Sequence, residues 1–317
     1  EPHDAIEATI VAQWKEILGR KAIDIDASFV DLGGDSLSFI EASVQVETLL
    51  GRLPDRWERM SIRQLARQGR ARRGWWTRVD SSVLLRAISI VLVVVGHFDL
   101  PEPPGSVRAL FVVSGMSFGK YLVPQVLRGG HARPIFRLVA KIAVPAVLYT
   151  IAINVVFRHP KLPGLLMITN LVSPDQQVGG IGFWFIDVLA QSLVFLALLL
   201  SVARVRELVS REPFAFALGA TLVFDALAKL APLVWDTSHL YDRVPQYHLG
   251  AICLGWALVH ADTRPRKLRV GAGTVLTFGA WNTDYLFVFP FVATFVLLTW
   301  QRVSLPVVFG RLVHVVA

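Results

Sequence analysis

The sequence predicts an all-α protein in two parts, a small soluble helix bundle followed by a polytopic transmembrane helical domain. Three observations support this prediction. The chain has 317 residues, of which 54% are hydrophobic and 18% are charged, whereas an average soluble domain is about 25% charged. Charged residues are concentrated in residues 1–80, and long apolar runs begin only near Val83. We therefore predict a soluble domain over 1–70, a basic cytoplasmic linker over 71–82 and a membrane domain over 83–317.

The first part has the periodicity of short helices. Residues 4–18 carry apolar side chains at spacings of three and four, which is typical of an amphipathic helix. After a loop, a second helix is predicted to start near Ser36, and Ser61 can cap a third short helix. The result is a bundle of three or four helices over about 70 residues, small but large enough to fold.

The stretch FVDLGGDSLSFIE, residues 29–41, contains the main candidate for modification. Gly33 and Gly34 permit a sharp turn, and Asp35 and Ser36 follow at a predicted helix N-terminus. Free N–H groups and the helix dipole favour a phosphate there. Asp35 could also help to hold Mg²⁺ during phosphoryl transfer. The alternative is that Asp35 or Ser36 is only a helix N-cap.

The order of helix, long loop, F-V-D-L-G-G-D-S-L and helix resembles an acyl- or peptidyl-carrier domain, over about residues 3–70. This resemblance implies that Ser36 is a phosphoprotein site that carries covalent 4′-phosphopantetheine. It also implies two kinds of partner, a phosphopantetheinyl transferase and an acyl-activating (adenylating) domain or enzyme. The Gly-Gly pair favours the peptidyl-carrier type.

The linker and the apolar runs after it predict a membrane protein of about eight or nine spans, although several runs are shorter than the ~20 residues of a straight span. The apolar runs are 83–98, 107–127, 138–157, 183–203, 214–234, 247–261, 270–281 and 284–300, with a ninth that starts near 305 and is cut off. The linker region contains Arg70, Arg72, Arg73, Trp75, Trp76 and Arg78. Its place beside a span indicates a cytoplasmic interface and argues against nucleic-acid binding.

Positive charge alternates from loop to loop along the membrane domain. If the N-terminus is cytoplasmic, the inside loops contain Arg128, Arg133, Arg137, Arg204, Arg206, Arg211, Arg264, Arg266, Lys267, Arg269 and Arg302. The outside loops are mixed or acidic. Because cytoplasmic loops are enriched in arginine and lysine, this pattern predicts a multi-pass protein of the cell membrane with its soluble domain in the cytoplasm. It also accounts for the net charge of +8.

Two ionisable residues, Arg86 and His97, lie in the first predicted span. They are eleven residues apart, which brings both to one helix face at a separation of roughly 16 Å along the axis. Polar groups inside a span are costly and often functional. The alternative is that Arg86 is a snorkelling anchor and His97 an interfacial residue.

The segment R-A-I-S-I-V-L-V-V-V-G-H-F resembles the first span of the acyltransferase-3 family of integral membrane acyltransferases. Four further stretches resemble later spans of that family in the same order: LFVVSGMSFGKYL, FRLVAKIAVPAVLY, FWFIDVLAQSLVF and YHLGAICLGWAL. The resemblance therefore covers about residues 80–317. Two features depart from the family. Lys141 stands where the family has an arginine, and it is one residue farther from Arg137 than in the family. The family also has one further span, as expected if this chain is truncated.

The resemblance implies transfer of an acyl or aminoacyl group from a phosphopantetheine thioester to a hydroxyl of a glycan or lipid-linked acceptor. His97 would be the general base, and Arg86 would stabilise the donor's phosphate or position its pantetheine arm. Arg133, Arg137 and Lys141 would guide that phosphate from the cytoplasm.

Asp99 could orient His97, Asp187 could face the acceptor cavity, and residues 281–284 could line the outer mouth of that cavity. The histidines show no metal-ligand spacing, so we predict no metal. Two alternative functions stay open: a transporter or flippase with the carrier as a recruitment module, and an acyltransferase that uses acyl-CoA. The sequence leaves the cargo, the acceptor and a preceding adenylating domain open.

Overall fold

The computed structural model describes residues 2–69, 75–98, 105–157, 162–172, 184–234, 243–279 and 288–317. Several residues singled out from the sequence lie outside these ranges: Arg70, Arg72, Arg73, Asp99 and residues 281–284. The backbone of Ser36 is described, but its side chain is not.

The soluble part is the predicted helix bundle. Its elements are α1 (Pro2–Leu18), α2 (Ser36–Leu50), a 3₁₀ turn (Trp57–Arg59) and α3 (Ile62–Arg67). A capping box starts α3, because Ser61 Oγ accepts from the Gln64 N–H and the Gln64 side chain accepts from the Ser61 N–H. The core is aromatic. The rings of Trp14, Phe29 and Trp57 are fully buried, with centroids 5.3–6.1 Å apart.

A two-stranded antiparallel sheet corrects the all-α prediction. Strand β1 (Trp76–Asp80) lies within the predicted linker, and it pairs with β2 (Arg302–Pro306) near the other end of the chain. Both strands are five residues long. Such short strands have little periodicity, and their pairing depends on how distant helices pack, so the local pattern did not predict them.

The remaining elements of the described ranges are helical, and we call α4 to α16 the membrane part, after the prediction from the sequence. The helices are α4 (Ser81–Gly96), α5 (Ser106–Ser117), α6 (Val123–Gly129), α7 (Arg133–Phe157), α8 (Leu162–Leu165), α9 (Thr169–Val172), α10 (Trp184–Ser201), α11 (Ala203–Arg211), α12 (Pro213–Val234), α13 (Leu249–Val259), α14 (Arg264–Phe278), α15 (Val288–Thr299) and α16 (Val307–Val316). A π-helical turn, Phe118–Leu122, joins α5 to α6.

Among the described residues, four helices are long and apolar enough to cross a membrane. They are Ser106–Gly129, Arg133–Val156, Trp184–Ser201 and Pro213–Ala231. Four shorter apolar helices accompany them, namely Ser81–Gly96, Leu249–Val259, Val288–Thr299 and Val307–Val316. Only 6% of the most apolar stretch of α7 is buried. An exposed apolar surface of this extent is expected to face lipid. The predicted total of eight or nine spans stays a prediction.

Two glycines set the packing at the centre of the membrane part. A Cβ on Gly115 of α5 would lie 1.8 Å from the carbonyl oxygen of Ile252. On the facing helix, a Cβ on Gly255 of α13 would lie 1.9 Å from the carbonyl oxygen of Val112. Only glycine permits backbones to approach so closely, a common device in membrane helix pairs. This contact holds α5, and therefore the π turn after it, in a fixed position.

Candidate functional site

The loop before α2 is a tight turn that requires its two glycines. Gly33 has a φ of +85°, and a Cβ on Gly34 would lie 2.0 Å from the ring of Phe29. Asp35 then caps α2: its carboxylate accepts from the N–H of Ser38 at 2.9 Å and from the Ser38 hydroxyl at 2.8 Å. Helix α2 therefore begins at Ser36, as predicted, and Asp35 has the N-cap role that the sequence left as an alternative.

The other serines of the soluble domain are used locally. Ser28 donates to Asp31, Ser43 donates to the carbonyl of Ile40, Ser38 donates to the Asp35 cap, and Ser61 caps α3. Ser36 is the first residue of α2, directly after the turn formed by Gly33, Gly34 and Asp35. Modification of Ser36 itself stays a prediction.

The same loop lies against α6 and α7 of the membrane part. The contacts are Lys141 Nζ to Asp35 Oδ2 at 2.6 Å, Gln125 Nε2 to the Gly34 carbonyl at 2.9 Å, Arg128 Nη2 to the Val30 carbonyl at 3.1 Å and an ion pair of Arg128 with Asp31. Three polar side chains of the membrane part thus hold the loop that precedes Ser36. We call this contact the loop dock.

A second contact, which we call the lysine bridge, is more deeply buried. Lys120 lies in the π turn, with its Nζ 3.0 Å from Glu58 Oε1 and 3.7 Å from Asp80 Oδ2. Its side chain is 18% exposed, and that of Glu58 is 5% exposed. Beside it, the rings of Phe39 and Tyr121 have centroids 5.2 Å apart. The hydrophobic core of the soluble domain therefore continues into the membrane part.

The structure keeps the two predicted catalytic residues apart, as their spacing required. Arg86 is partly buried, and its Nη2 donates to the Oγ of Ser117 at 2.7 Å, three residues before Lys120. His97 directly follows α4, is exposed, and has its Nδ1 2.7 Å from the carbonyl oxygen of Val93. Arg86 is thus close to the end that holds the soluble domain, and His97 is at the other end of α4.

The predicted phosphate-binding residues form one stripe. Arg133, Arg137 and Lys141 are four residues apart on α7, so they share one helix face. The structure brings Lys141 to Asp35, whereas Arg133 and Arg137 are exposed and, within the described part of the chain, make no ion pair. A cationic stripe beside a helix N-terminus has the chemistry that a phosphate needs. In the described ranges, no group of three or more histidine, cysteine or acidic side chains could hold a metal.

The loop dock is expected to weaken only in acid. Burial raises the pKa of Asp35, but the ion pair with Lys141 and the hydrogen bonds from Ser38 outweigh it, so that the pKa lies below its ordinary 3.8. A lowered carboxylate pKa adds stability that is complete above the ordinary value and is lost as pH falls through the lowered one. Hydrogen exchange of residues 29–35, corrected for its intrinsic pH dependence, should be constant from about pH 8 to 5 and faster below about pH 4.

The variant Asp35→Asn is the control for this prediction. It has no carboxylate at position 35, so the loop should be less protected at neutral pH. Its acid transition should shrink to the part that comes from Asp31, which pairs with Arg128 and whose pKa is also lowered. A transition centred near pH 6 in the wild type would contradict the role of Asp35, because a midpoint at about that pH is typical of a histidine.

Sequence reasoning missed most side chains of the two contacts: Asp31, Glu58, Asp80, Lys120 and Gln125, and also Arg128 in its contact with the carrier domain. One signal was available. Lys120 lies in the apolar run 107–127, and a charged residue there normally needs a specific partner. Nothing in the local pattern indicated that this partner is Glu58 of the soluble domain.

Comparisons with known proteins identify the soluble domain. Residues 8–68 match the family model described as "Phosphopantetheine attachment site". Over 68 residues the chain is 38% identical to the AMB antimetabolite synthetase AmbE of Pseudomonas aeruginosa, which covers 21% of this chain and 3% of that protein. No solved structure matches significantly.

The matched family residues end at 68, so the resemblance of residues 80–317 to acyltransferase-3 stays a prediction. For the soluble domain, the fold and the match agree. Such domains take part in carrier-based biosynthesis, with a phosphopantetheinyl transferase and adenylating or synthetase domains as partners. Residues 8–68 are therefore a phosphopantetheine attachment domain, the site of covalent 4′-phosphopantetheine on a serine.

Proposed function

We propose that the protein is a multi-pass membrane acyltransferase with a cytoplasmic carrier domain. Its donor is an acyl or aminoacyl thioester on 4′-phosphopantetheine at Ser36, and its acceptor is a hydroxyl of a glycan or lipid-linked molecule. One observation carries the proposal. The loop that leads into Ser36 lies against the membrane part, with Asp35 paired to Lys141.

The phosphate of the attached group is expected to lie between the start of α2 and the stripe of α7. Lys141 Nζ already holds an anion there, the Asp35 carboxylate. Arg137 and Arg133 follow one and two turns away and are exposed. They can therefore supply positive charge to a phosphate without first breaking another ion pair.

The membrane topology is supported by the same contacts. Arg128 of α6 and Arg302 of β2 belong to two separate segments that the positive-inside rule assigns to the cytoplasmic side. Both contact the carrier domain: Arg128 pairs with Asp31, and Arg302 pairs with Asp55. A carrier domain at the cytoplasmic end of the helices meets enzymes that attach and load phosphopantetheine.

When attached, phosphopantetheine would supply a thioester: its carbon–sulfur bond would break as the acceptor oxygen bonds to the acyl carbon, and the leaving thiol would take up the hydroxyl proton. His97 is suited to take that proton from the hydroxyl and pass it on. Arg86 lies near the carrier end of the same helix, where it can hold the donor. Ser117 orients its guanidinium through the 2.7 Å hydrogen bond.

The proposal is tested by loading the carrier with a radiolabelled acyl group in native membranes and following the label. We expect the label to leave the wild type and to leave the His97→Ala variant about 10²–10⁴ times more slowly, the usual effect of losing a general base. His131→Ala, which removes an exposed histidine at the α6–α7 turn, is the matched control. Equal rates in wild type and His97→Ala would refute the role of His97.

Two other outcomes would support the other functions. Label that stays on the carrier in the presence of native acceptor would favour a transporter or flippase with a carrier recruitment module. Transfer that persists in Ser36→Ala would favour acyl-CoA as the donor, with the carrier in an accessory role.

A further inference from the structure

A groove of about 770 Å³ separates the carrier domain from the end of the membrane part. Its walls are the C-terminal end of α2 and the loop after it on one side, and β1 and α16 on the other. The attachment residue is at the other end of α2, about 12 Å along the helix from the first groove-lining residue, Val44, for eight residues at 1.5 Å each. The groove is therefore separate from the loop dock.

The side chains that line the groove carry a net positive charge, because its three arginines, Arg52, Arg78 and Arg311, outnumber its two carboxylates. Asp55 pairs with Arg302 and lies 3.9 Å from Arg78, whereas Glu47 accepts a hydrogen bond from Thr77 and keeps its charge. Two of the arginines are exposed and make no ion pair within the described part of the chain. Arg52 donates to the neutral amide of Gln68, and Arg311 has no carboxylate within ion-pair distance in the described part of the chain.

The surroundings of the groove are apolar and aromatic. Trp75 and Trp76 line it and are 90% and 66% exposed. Helix α16 has an exposed apolar face formed by Val308, Phe309, Leu312 and Val315. Strand β1 runs directly into α4, and β2 runs directly into α16, so the groove lies where two apolar helices begin.

We propose that this groove binds one anionic phospholipid of the cytoplasmic leaflet. Its headgroup phosphate lies between Arg52 and Arg311, its acyl chains lie along the apolar face of α16, and the two tryptophans lie at the interface. Basic pockets on the cytoplasmic side of membrane helices select anionic headgroups, and tryptophan is enriched at that depth. Because the groove has walls from both parts, the lipid would connect the carrier domain to the bilayer.

The test uses the full-length chain, delipidated in detergent and titrated with phosphatidylglycerol or phosphatidylcholine, with bound lipid counted by native mass spectrometry. We expect one saturable phosphatidylglycerol site and weaker binding of phosphatidylcholine. In the variant Arg52→Gln with Arg311→Gln, affinity for phosphatidylglycerol should fall about 10- to 30-fold, from two arginines at about 1 kcal/mol each.

A matched control removes two exposed arginines from other predicted cytoplasmic loops, Arg204→Gln with Arg269→Gln, and should keep the wild-type affinity. Equal binding of both lipids, an equal loss in the control, or displacement of phosphatidylglycerol by millimolar inorganic phosphate would each overturn the proposed site. The inference rests on the proposed membrane location. Recovery of the protein in the soluble fraction without detergent would overturn that location instead, so the two failures are distinguishable.

Discussion

Replacing Ser36 with alanine is expected to abolish attachment of 4′-phosphopantetheine. The attachment domain carries this group on a serine, and alanine has no oxygen to accept the phosphoryl group. The measurement is the mass of the intact protein after incubation with coenzyme A and a phosphopantetheinyl transferase. The wild type should gain one phosphopantetheine and Ser36→Ala none. Acyl transfer from the carrier domain should be lost as well.

The control is Ser43→Ala. Ser43 is in the same helix, is 1% exposed, and donates to the carbonyl of Ile40, a bond whose loss costs about 1 kcal/mol. This variant should be modified like the wild type. If Ser36→Ala still gained the full mass, another serine would be the attachment site. The loop dock would then not lie next to the modified residue.

Reversing the charge of Lys120 is expected to release the carrier domain from the membrane part. Lys120→Glu would place a third carboxylate beside Glu58 and Asp80, which are within 3.0 and 3.7 Å of the lysine nitrogen. Breaking a buried ion pair costs about 3–5 kcal/mol. If the carrier domain separates from the membrane part, water hydrates Glu58 and this cost is avoided.

Release can be measured at the loop dock, which is a separate contact. A water-soluble carbodiimide joins lysines to carboxylates in direct contact, and Lys141 Nζ is 2.6 Å from Asp35 Oδ2. Peptide mapping should find the Lys141–Asp35 cross-link in the wild type and little of it in Lys120→Glu. Arg128→Gln is the control: its pair with Asp31 is half exposed on both sides, so its loss should cost at most about 1 kcal/mol.

A charge swap separates release from misfolding. Glu58→Lys combined with Lys120→Glu restores the pair in the opposite sense, and the cross-link should return. Recovery will be partial, because the carboxylate introduced at position 120 would also face the carboxylate of Asp80. A full cross-link in Lys120→Glu alone would contradict the role of the lysine bridge, and absence of recovery in the swap would indicate damage to the π turn.

Much of the architecture follows from local sequence. The helix over residues 4–18, the start of α2 at Ser36 and the cap of α3 at Ser61 were predicted from periodicity and capping within a few residues. The attachment motif is equally local, since Gly33, Gly34 and Asp35 shape one turn by themselves. Apolar composition likewise predicted long helices such as α7 and α10. Interactions between near neighbours decide these features, so a single sequence contains them.

Tertiary structure decided which of these elements meet. The sequence indicated Lys141 as a residue for phosphate, and only packing shows that Asp35 is its neighbour. The sequence also showed that Lys120 lies in an apolar run, but it did not indicate Glu58 as the partner of that lysine. It did not predict the pairing of β1 with β2 either. Each of these contacts joins residues far apart in the chain. Their formation depends on how distant elements pack, for example on the glycine contact that holds α5 against α13, and no local pattern records that arrangement.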